Sequence, residues 1–265
     1  MAVESTRSSG RGIQSVEVGA RILTALMRSG APMMLRDISA AADLIPAQTH
    51  AYLTSFRRVE LVEQDAGTGR YLLGPAATRL AVARIRGSNV LSAASQAVIR
   101  LSEELGVMAA IVVWGPDSPT AIQVQEGAQS LNINIRAGTA FSVTGSASGR
   151  IFGAFSRDEH VANRIRSEFS GAAQKAVGLA SSTEEFMADL AKIRAAGYSR
   201  LFDSPVPGLC SVSAPVTSAS GDLLLALTLV GRVEGPDQGS ASQCVTRLLE
   251  TTRSLSGRAP AETAA

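Results

Sequence analysis

The stretch 35–62, LRDISAAADLIPAQTHAYLTSFRRVELV, constrains the fold more than any other part of this sequence. Apolar residues recur at helical spacing before and after a break at residues 43–46. Pro46 suits the first turn of a new helix, because that position needs no N–H donor. The stretch therefore predicts two short helices joined by a tight turn. The second helix has an apolar side and a polar side that ends in Arg57 and Arg58, as in a helix that enters the major groove of DNA. An ordinary surface helical hairpin is the alternative, and spacing alone leaves the two equally open.

A predicted β-hairpin directly follows the second helix. Residues 61–65 and 70–73 are strand-like and flank the glycine-containing turn 66–69. A hairpin at this place is typical of the wing of a winged helix-turn-helix. Arg70 would lie on the wing, within reach of DNA phosphate or the minor groove. The glycine spacing of the turn does not match a nucleotide-binding loop.

Charge is distributed unevenly along the chain, although the net charge is only +2. Residues 1–87 contain 11 Arg and 7 Asp or Glu, a balance of +4, whereas the remaining residues balance to −2. The basic excess thus lies in the segment with the helix-turn-helix pattern, as neutralisation of DNA phosphates requires. We predict DNA contacts from eight residues of the second helix and the hairpin: Gln48, Thr49, His50, Tyr52, Ser55, Arg57, Arg58 and Arg70.

The rest of the chain predicts a second domain, and 265 residues are enough for two separate cores. Helical patterns occupy residues 75–86, 90–105, 147–155, 158–169, 184–195 and 239–255. Strand-like patterns occupy residues 107–114, 121–125, 131–136, 209–216 and 223–231. We predict a two-domain α/β (α+β) fold with these boundaries: a disordered tail at 1–12, a winged helix-turn-helix at 13–74, a linker helix at 75–88, a sheet domain at 89–256 and a disordered tail at 257–265.

A search for catalytic and metal-binding residues finds no convincing constellation. Neither His50 nor His160 has a second histidine at the spacing of metal ligands. The stretch around Ala147 is similar to a nucleophile elbow, but a serine would have to stand at the centre, where Ala147 is. Cys210 lies in an apolar run, which favours a buried structural cysteine over a thiolate nucleophile. The sequence therefore predicts no catalytic site, no metal and no cofactor.

The sequence also bears on the cellular compartment. Residues 1–12 are polar and lack the apolar core of a signal peptide. The longest apolar run, 223–230, is interrupted by Thr228 and is too short to span a bilayer. The two cysteines lack the spacing of metal ligands and agree with a reducing compartment. We predict a cytoplasmic protein without a membrane partner.

Three motifs behind the predicted winged helix carry a family resemblance. They are TGSASGR at residues 144–150, AGY at 196–198 and GLCSVSAPV at 208–216. In this order, over residues 15–255, the chain resembles the IclR family of bacterial transcriptional regulators. The resemblance implies an N-terminal winged helix-turn-helix and a C-terminal GAF-like domain that binds a small-molecule effector. It also implies homodimers, often paired as tetramers, on palindromic double-stranded operators.

The resemblance further implies where the effector binds. Family pockets draw polar groups from the turn before a Gly-Lys helix, an acidic run after Gly-Tyr, a cysteine before Ala-Pro-Val and the last strand. The matching positions and their neighbours in this sequence are Ala147, Ser148, Asp203, Leu209, Ser211, Thr228 and Val230. This set is poorer in polar groups than the family usually shows. We therefore expect an effector more apolar than a small keto acid, such as an aromatic or alicyclic acid; a pocket that has drifted and binds little is the alternative.

The predicted recognition helix departs from the family at one position. Members commonly have arginine after the histidine, whereas Ala51 follows His50 here, so the arginines at the helix end and on the wing would carry more of the binding. The sequence thus predicts a DNA-binding, effector-responsive regulator, with a repressor favoured over an activator. Two alternatives stay open: a small-molecule-binding enzyme with a degenerate helical N-terminus, and a winged helix that binds protein instead of DNA.

Overall fold

The chain divides into two compact units, Met1–Arg84 and Ile85–Ala265. In a computed structural model of the protein, the described residues are 12–128, 131, 133–170, 182–203, 206–232 and 239–256. The predicted tails are residues 1–12 and 257–265, and all of these except Gly12 lie outside the described residues.

The N-terminal unit contains three helices followed by an antiparallel hairpin. Its elements are α1 (Gln14–Ser29), α2 (Leu35–Ala42), α3 (Pro46–Arg58), β1 (Val62–Gln64) and β2 (Tyr71–Leu73). Helices α2 and α3 are the pair expected from the sequence, and the strands form the expected hairpin, each shorter than predicted. Asp43 has a φ of 53° and ends α2, and Pro46 occupies the first turn of α3.

A small core fixes the orientation of α3 within this unit. Ile22 from α1, Ile38 from α2 and Leu53 from α3 are fully buried together, with Val62 and Tyr71 from the hairpin. Because Leu53 points into this core, the residues on the opposite side of α3 face away from it. The hydrophobic pattern of the sequence therefore determines which side of α3 is presented outward.

Helix α4 (Pro75–Arg86) lies in the stretch predicted as a linker helix, 75–88, and the division between the units falls after Arg84. None of its 12 residues, all of them described, is buried. Gly74 precedes α4, and a Cβ atom there would lie 2.4 Å from the carbonyl oxygen of Glu60. The chain therefore enters α4 in close backbone contact with the turn after α3.

The C-terminal unit is an antiparallel sheet with helices on both faces. Its elements are α5 (Asn89–Leu105), β3 (Met108–Trp114), β4 (Pro119–Gln125), α6 (Ala147–Phe155), α7 (Glu159–Ser170), α8 (Thr183–Ala196), β5 (Ser199–Phe202), β6 (Leu209–Thr217), β7 (Leu223–Arg232) and α9 (Gly239–Ser256). The strand order is β4-β3-β7-β6-β5, and every neighbouring pair is antiparallel. The predicted α+β architecture is confirmed.

The two faces of this sheet have different partners. Helices α5 and α9 cover one face, where Cys210 and Val212 of β6 belong to the main apolar core. Helix α6 packs against β6 and β7, and α7 and α8 pack against α6. Side chains alternate along a strand, so Ser211 and Ser213 of β6 point to the α6 face. The α6 face is therefore the more polar of the two.

The predicted and observed secondary structures differ at two strands. Residues 131–136 were expected to form a strand, but residues 131 and 133–136 contain none. The alternation there has another cause, because Ile133 and Ile135 line a cavity instead of pairing in the sheet. Conversely, β5 was not predicted, since Arg200 and the exposed Phe202 give it a weak apolar pattern.

Candidate DNA interface and ligand cavity

The outward side of α3 is polar and carries no acidic residue. Five of the predicted DNA contacts in α3 are exposed: Gln48, His50, Ser55, Arg57 and Arg58. The two arginines occupy the last turn, and the other three lie nearer the start or middle of the helix. The arrangement can offer amide, imidazole and hydroxyl groups to base edges and guanidinium groups to phosphates.

Thr49 is a wrong prediction as a DNA contact. Its side chain is 0% exposed, and its hydroxyl donates to the carbonyl oxygen of Ile45 at 3.1 Å. Tyr52 is half-buried; its ring centroid lies 6.3 Å from that of Phe56, and a Cβ added at Gly19 would lie 3.5 Å from the Tyr52 ring. Tyr52 thus helps to hold α3 against α1, and its contact with DNA stays a prediction.

The tip of the hairpin is held by local hydrogen bonds. The Asp65 carboxylate accepts from the backbone N–H and the hydroxyl of Thr68, each at 2.6 Å, and these bonds lower the pKa of Asp65. At the first residue of β2, Tyr71 exchanges two backbone hydrogen bonds of 2.8 and 2.9 Å with Met33. Arg70 is exposed, and one of its Nη atoms donates to the carbonyl oxygen of Pro32 at 3.2 Å. Because a guanidinium has five N–H groups, others are left to contact phosphate.

A cavity of about 370 Å³ lies on the α6 face of the sheet. Its lining residues come from β3, β6, β7, the start of α6, the segment between β4 and α6, and the residues just before β6. The lining residues are Met108, Ala110, Val112, Ile133, Asn134, Ile135, Phe141, Ser146, Ala147, Ser148, Val206, Leu209, Ser211, Thr228 and Val230. Six of the seven predicted effector contacts are among them, and the walls are mostly apolar.

Apart from Asn134, the polar groups of the cavity are concentrated at two places. One is the start of α6, where Ser146 caps the helix by accepting from the N–H of Gly149 at 2.9 Å, and Ser148 is 2% exposed. The first-turn N–H groups of a helix have no carbonyl partner within it, so this end attracts anions. The other place is the floor, where Ser211 and Thr228 supply hydroxyl groups.

Asp203, the seventh predicted effector contact, is not among the described residues that line the cavity. Its φ is 54°, and its carboxylate accepts from the N–H of Gly208 at 2.7 Å. Asp203 therefore holds the turn between β5 and β6. The family pattern placed an acidic group in the pocket, but here the carboxylate is used for the backbone of its own loop.

The approach to α6 depends on two charged residues that the sequence did not single out. The Glu168 carboxylate on α7 accepts hydrogen bonds from Ser142, Val143 and Thr144, the residues just before α6. Arg150 within α6 is buried, and its Nε donates to the carbonyl oxygen of Thr144 at 3.0 Å. Burial lowers the pKa of Arg150, and the nearby Asp189 partly opposes this effect. Only the charge and position of these groups were visible in the sequence; their partners were not.

Other chemistry is scarce in the part of the chain that the structure describes. Cys210 lies on the opposite face of the sheet from the cavity, and burial raises the pKa of its thiol to about 11. It is therefore protonated at neutral pH, as expected for a structural cysteine. No group of three or more His, Cys, Asp or Glu residues that could hold a metal is found there. No described helix is both long and apolar enough to cross a membrane.

A helix-turn-helix joined in one chain to an α/β domain with a ligand-sized cavity is an arrangement typical of transcriptional regulators. Two family models match this chain: the IclR helix-turn-helix domain over residues 15–66, and the bacterial transcriptional regulator IclR C-terminal domain over residues 82–257. The chain belongs to the IclR family. It is a DNA-binding transcriptional regulator, as the sequence predicted.

Two curated relatives span almost the whole chain. The HTH-type transcriptional regulator BhcR of Paracoccus denitrificans (strain Pd 1222) is 24% identical over 250 residues, covering 94% of this chain and 88% of the relative. The glycerol operon regulatory protein of Streptomyces griseus is 25% identical over 262 residues, covering 93% of this chain and 96% of the relative. Both are named regulators, in agreement with the two family models, which describe a family of transcriptional regulators and not of enzymes.

Solved structures show the same fold. Pseudomonas aeruginosa HmgR is 28% identical with a TM-score of 0.56, covering 95% of this chain and 100% of that chain. An IclR homolog complexed with 4-hydroxybenzoate, from Microbacterium hydrocarbonoxydans, is 18% identical with a TM-score of 0.64, covering 91% of this chain and 97% of that one. At the lower identity, the likeness extends to the fold alone.

Proposed function

We propose that this regulator is a repressor whose affinity for its operator changes when an organic acid with an apolar frame binds in the cavity on the α6 face. The observation that carries this proposal is the combination of apolar walls with a helix N-terminus. The walls suit a ring or alicyclic skeleton, and the α6 N-terminus suits a carboxylate. The 4-hydroxybenzoate complex of a protein with the same fold supports an effector of this kind.

Calorimetry tests the proposed effector class. A cavity of about 370 Å³ is far larger than a two- or three-carbon keto acid needs, so such a ligand would leave much of the apolar wall uncovered. We expect benzoate-like or cyclohexane carboxylic acids to bind at least about tenfold more tightly than glyoxylate or pyruvate, because they bury more apolar area. Tight binding of the small polar acids alone would contradict the proposal.

On the DNA side, we propose that the protein acts in the cytoplasm as a homodimer or tetramer on a palindromic operator. Two α3 helices of a dimer would then enter major grooves about 34 Å apart, which is one turn of the duplex. Helix α4 would transmit the ligand state, since it is the segment of chain that runs across the division after Arg84. A gel shift on the DNA that flanks the protein's own gene, run against heparin, tests this. Loss of the shifted band in heparin would favour the protein-binding winged helix instead.

Arg70 provides a specific test of the hairpin as a DNA-binding wing. The side chain is exposed at the hairpin, and one phosphate contact releases about one counterion. In Arg70→Ala, we expect weaker binding to all DNA sequences alike and a salt dependence flatter by about one unit of log K per log salt. Fluorescence anisotropy at several salt concentrations measures both quantities.

The matched control is Arg166→Ala, which removes the same charge from an exposed position on α7. This variant should keep the wild-type salt slope. If Arg70→Ala also keeps it, the hairpin does not contact phosphate, and binding must rest on the arginines of α3.

A further inference from the structure

Thr228, on the floor of the ligand cavity, is hydrogen-bonded to a second hydroxyl group on the neighbouring strand. Ser213 on β6 and Thr228 on β7 lie directly opposite each other. Their oxygens are 2.9 Å apart, which is a hydrogen bond. Thr228 lines the cavity, whereas Ser213 is fully buried behind it. A hydrogen bond therefore links a residue at the cavity surface to a residue buried behind it.

A third group decides which of the two hydroxyls donates. Ser213 Oγ also lies 3.1 Å from the carbonyl oxygen of Leu227, and a carbonyl oxygen can only accept. Ser213 has one proton, and this contact uses it. In the bond between the two hydroxyls, Thr228 must then be the donor and Ser213 the acceptor. Thr228 has no second proton, so it presents only lone pairs to the cavity.

We propose that Thr228 is a fixed hydrogen-bond acceptor in the cavity, and that Ser213 is the positioning residue that holds the Thr228 hydroxyl in this orientation. The effector is then a carboxylic acid that also carries a hydroxyl group. This inference rests on the proposed function, because it concerns the ligand of the same cavity. A fixed acceptor stabilises a ligand group that can donate. It disfavours a ligand group of the same size that has only lone pairs, because two acceptors then face each other without water.

The start of α6 and Thr228 thus have opposite hydrogen-bonding character. The start of α6 offers donors, since the N–H groups of Ala147 and Ser148 have no carbonyl partner within the helix. The floor at Thr228 offers an acceptor. A carboxylate at α6 and a hydroxyl at β7 satisfy both, whereas a dicarboxylate would place a second acceptor against Thr228. The direction of the hydrogen bond at Thr228 therefore favours the binding of hydroxy acids over diacids of similar size.

The test compares ligands that differ only in their ability to donate. The probes are the three hydroxybenzoate isomers and the three fluorobenzoates, because fluorine is close to a hydroxyl in size and cannot donate. By calorimetry on the full-length wild-type protein, we expect at least one isomer to bind about tenfold more tightly as the hydroxy acid than as the fluoro acid. This preference is the quantity to follow in the variants.

Ser213→Ala tests the positioning role without removing a group that contacts the ligand. Without Ser213 as acceptor, the Thr228 hydroxyl is free to turn its proton to the cavity, so the preference should fall to about twofold or less. Thr228→Val, which keeps the shape and removes the hydroxyl, should lose the preference as well. Ser102→Ala is the control, since Ser102 is equally buried and donates to the carbonyl oxygen of Glu126 at 3.0 Å, away from the cavity. It should keep the wild-type preference even if it lowers stability.

The possible outcomes separate the two proposals. If hydroxy and fluoro acids bind the wild type with equal affinity, the fixed acceptor is overturned and the acid effector is retained. If Ser213→Ala weakens both ligands by the same factor and keeps the preference, the positioning role is overturned. If none of the acids binds at millimolar concentration, the proposed effector class is overturned together with this inference.

Discussion

Gly149→Ala is expected to abolish ligand binding and to destabilise the C-terminal unit by about 3 kcal/mol or more. A Cβ atom at this position would lie 2.1 Å from the carbonyl oxygen of Ser142 and 2.6 Å from the Cα of Val143. Both contacts are with backbone, which cannot rotate away as a side chain can. To relieve them, α6 would have to move off the segment that leads into it. Its first turn would then no longer form a wall of the cavity.

Thermal unfolding followed by circular dichroism and calorimetry with benzoate measure the two effects. The matched control is Gly153→Ala, one helical turn further along α6. There, a Cβ atom would meet the terminal methyl groups of Leu190, at 3.2 and 3.3 Å, and of Ile165, at 3.6 Å, and these side-chain ends can shift. We expect this variant to fold and to bind the acid. A wild-type melting temperature for Gly149→Ala would show that the segment before α6 is not packed as described.

Local sequence signals predicted the N-terminal unit well. Pro46, the break before it and the short apolar repeats defined α2 and α3, and the glycine-containing turn defined the hairpin. Each of these signals acts within a few residues of its own position, so it can be read without knowing the tertiary contacts. The one wrong prediction of a DNA contact, Thr49, lies in a helix that was itself predicted correctly. Its hydroxyl is satisfied by the backbone one turn earlier, which lets a polar residue be buried.

The cavity was predictable only in part, because its lining comes from segments far apart in the chain. Thr228 and Val230 were found because they match the last-strand positions of the family pocket, and both line the cavity. Ile133 and Ile135 alternate with polar residues as in a strand, yet they line the cavity from outside the sheet, and only the packing reveals this. The prediction that Asp203 lines the cavity is wrong for a different reason. A carboxylate near a pocket and a carboxylate that closes a loop look alike in sequence, and the distance to Gly208 separates them.

The sequence offered no function at all for Glu168. Its substitution is the second change for which we expect a large effect. One carboxylate oxygen accepts from the N–H of Val143 and Nε of Arg164, each at 3.0 Å. The other accepts from Thr144 N–H and hydroxyl and from the Ser142 hydroxyl, at 2.7 to 2.9 Å. In Glu168→Gln, an NH₂ group must replace one oxygen and face donors. We expect a loss of about 2–4 kcal/mol in the free energy of unfolding, because several charge-assisted bonds are broken in a mostly buried place.

The effect should reach the ligand through the cap of α6. The hydroxyl group of Ser146, the residue that caps α6, donates a hydrogen bond to the carbonyl oxygen of Ser142 at 2.7 Å. Loosening residues 142–144 therefore loosens the helix end proposed to hold the carboxylate. Urea unfolding and calorimetry with benzoate test both consequences. Glu159→Gln is the control on the same helix, since Glu159 is exposed and forms only a surface ion pair with Arg166 that contributes little.

The pH dependence distinguishes a charged role for Glu168 from a role in packing. Burial alone would raise the pKa of its carboxyl, but hydrogen bonds from Thr144, Ser142 and Val143 outweigh it and hold the pKa below the ordinary 4.5. A lowered folded-state pKa means that the stabilisation is complete above pH 4.5 and is lost as the pH falls through the folded-state value. The stability difference between wild type and Glu168→Gln should therefore be constant near neutrality and shrink in acid. A difference that persists unchanged below the folded-state pKa would mean that shape, and not charge, makes Glu168 necessary.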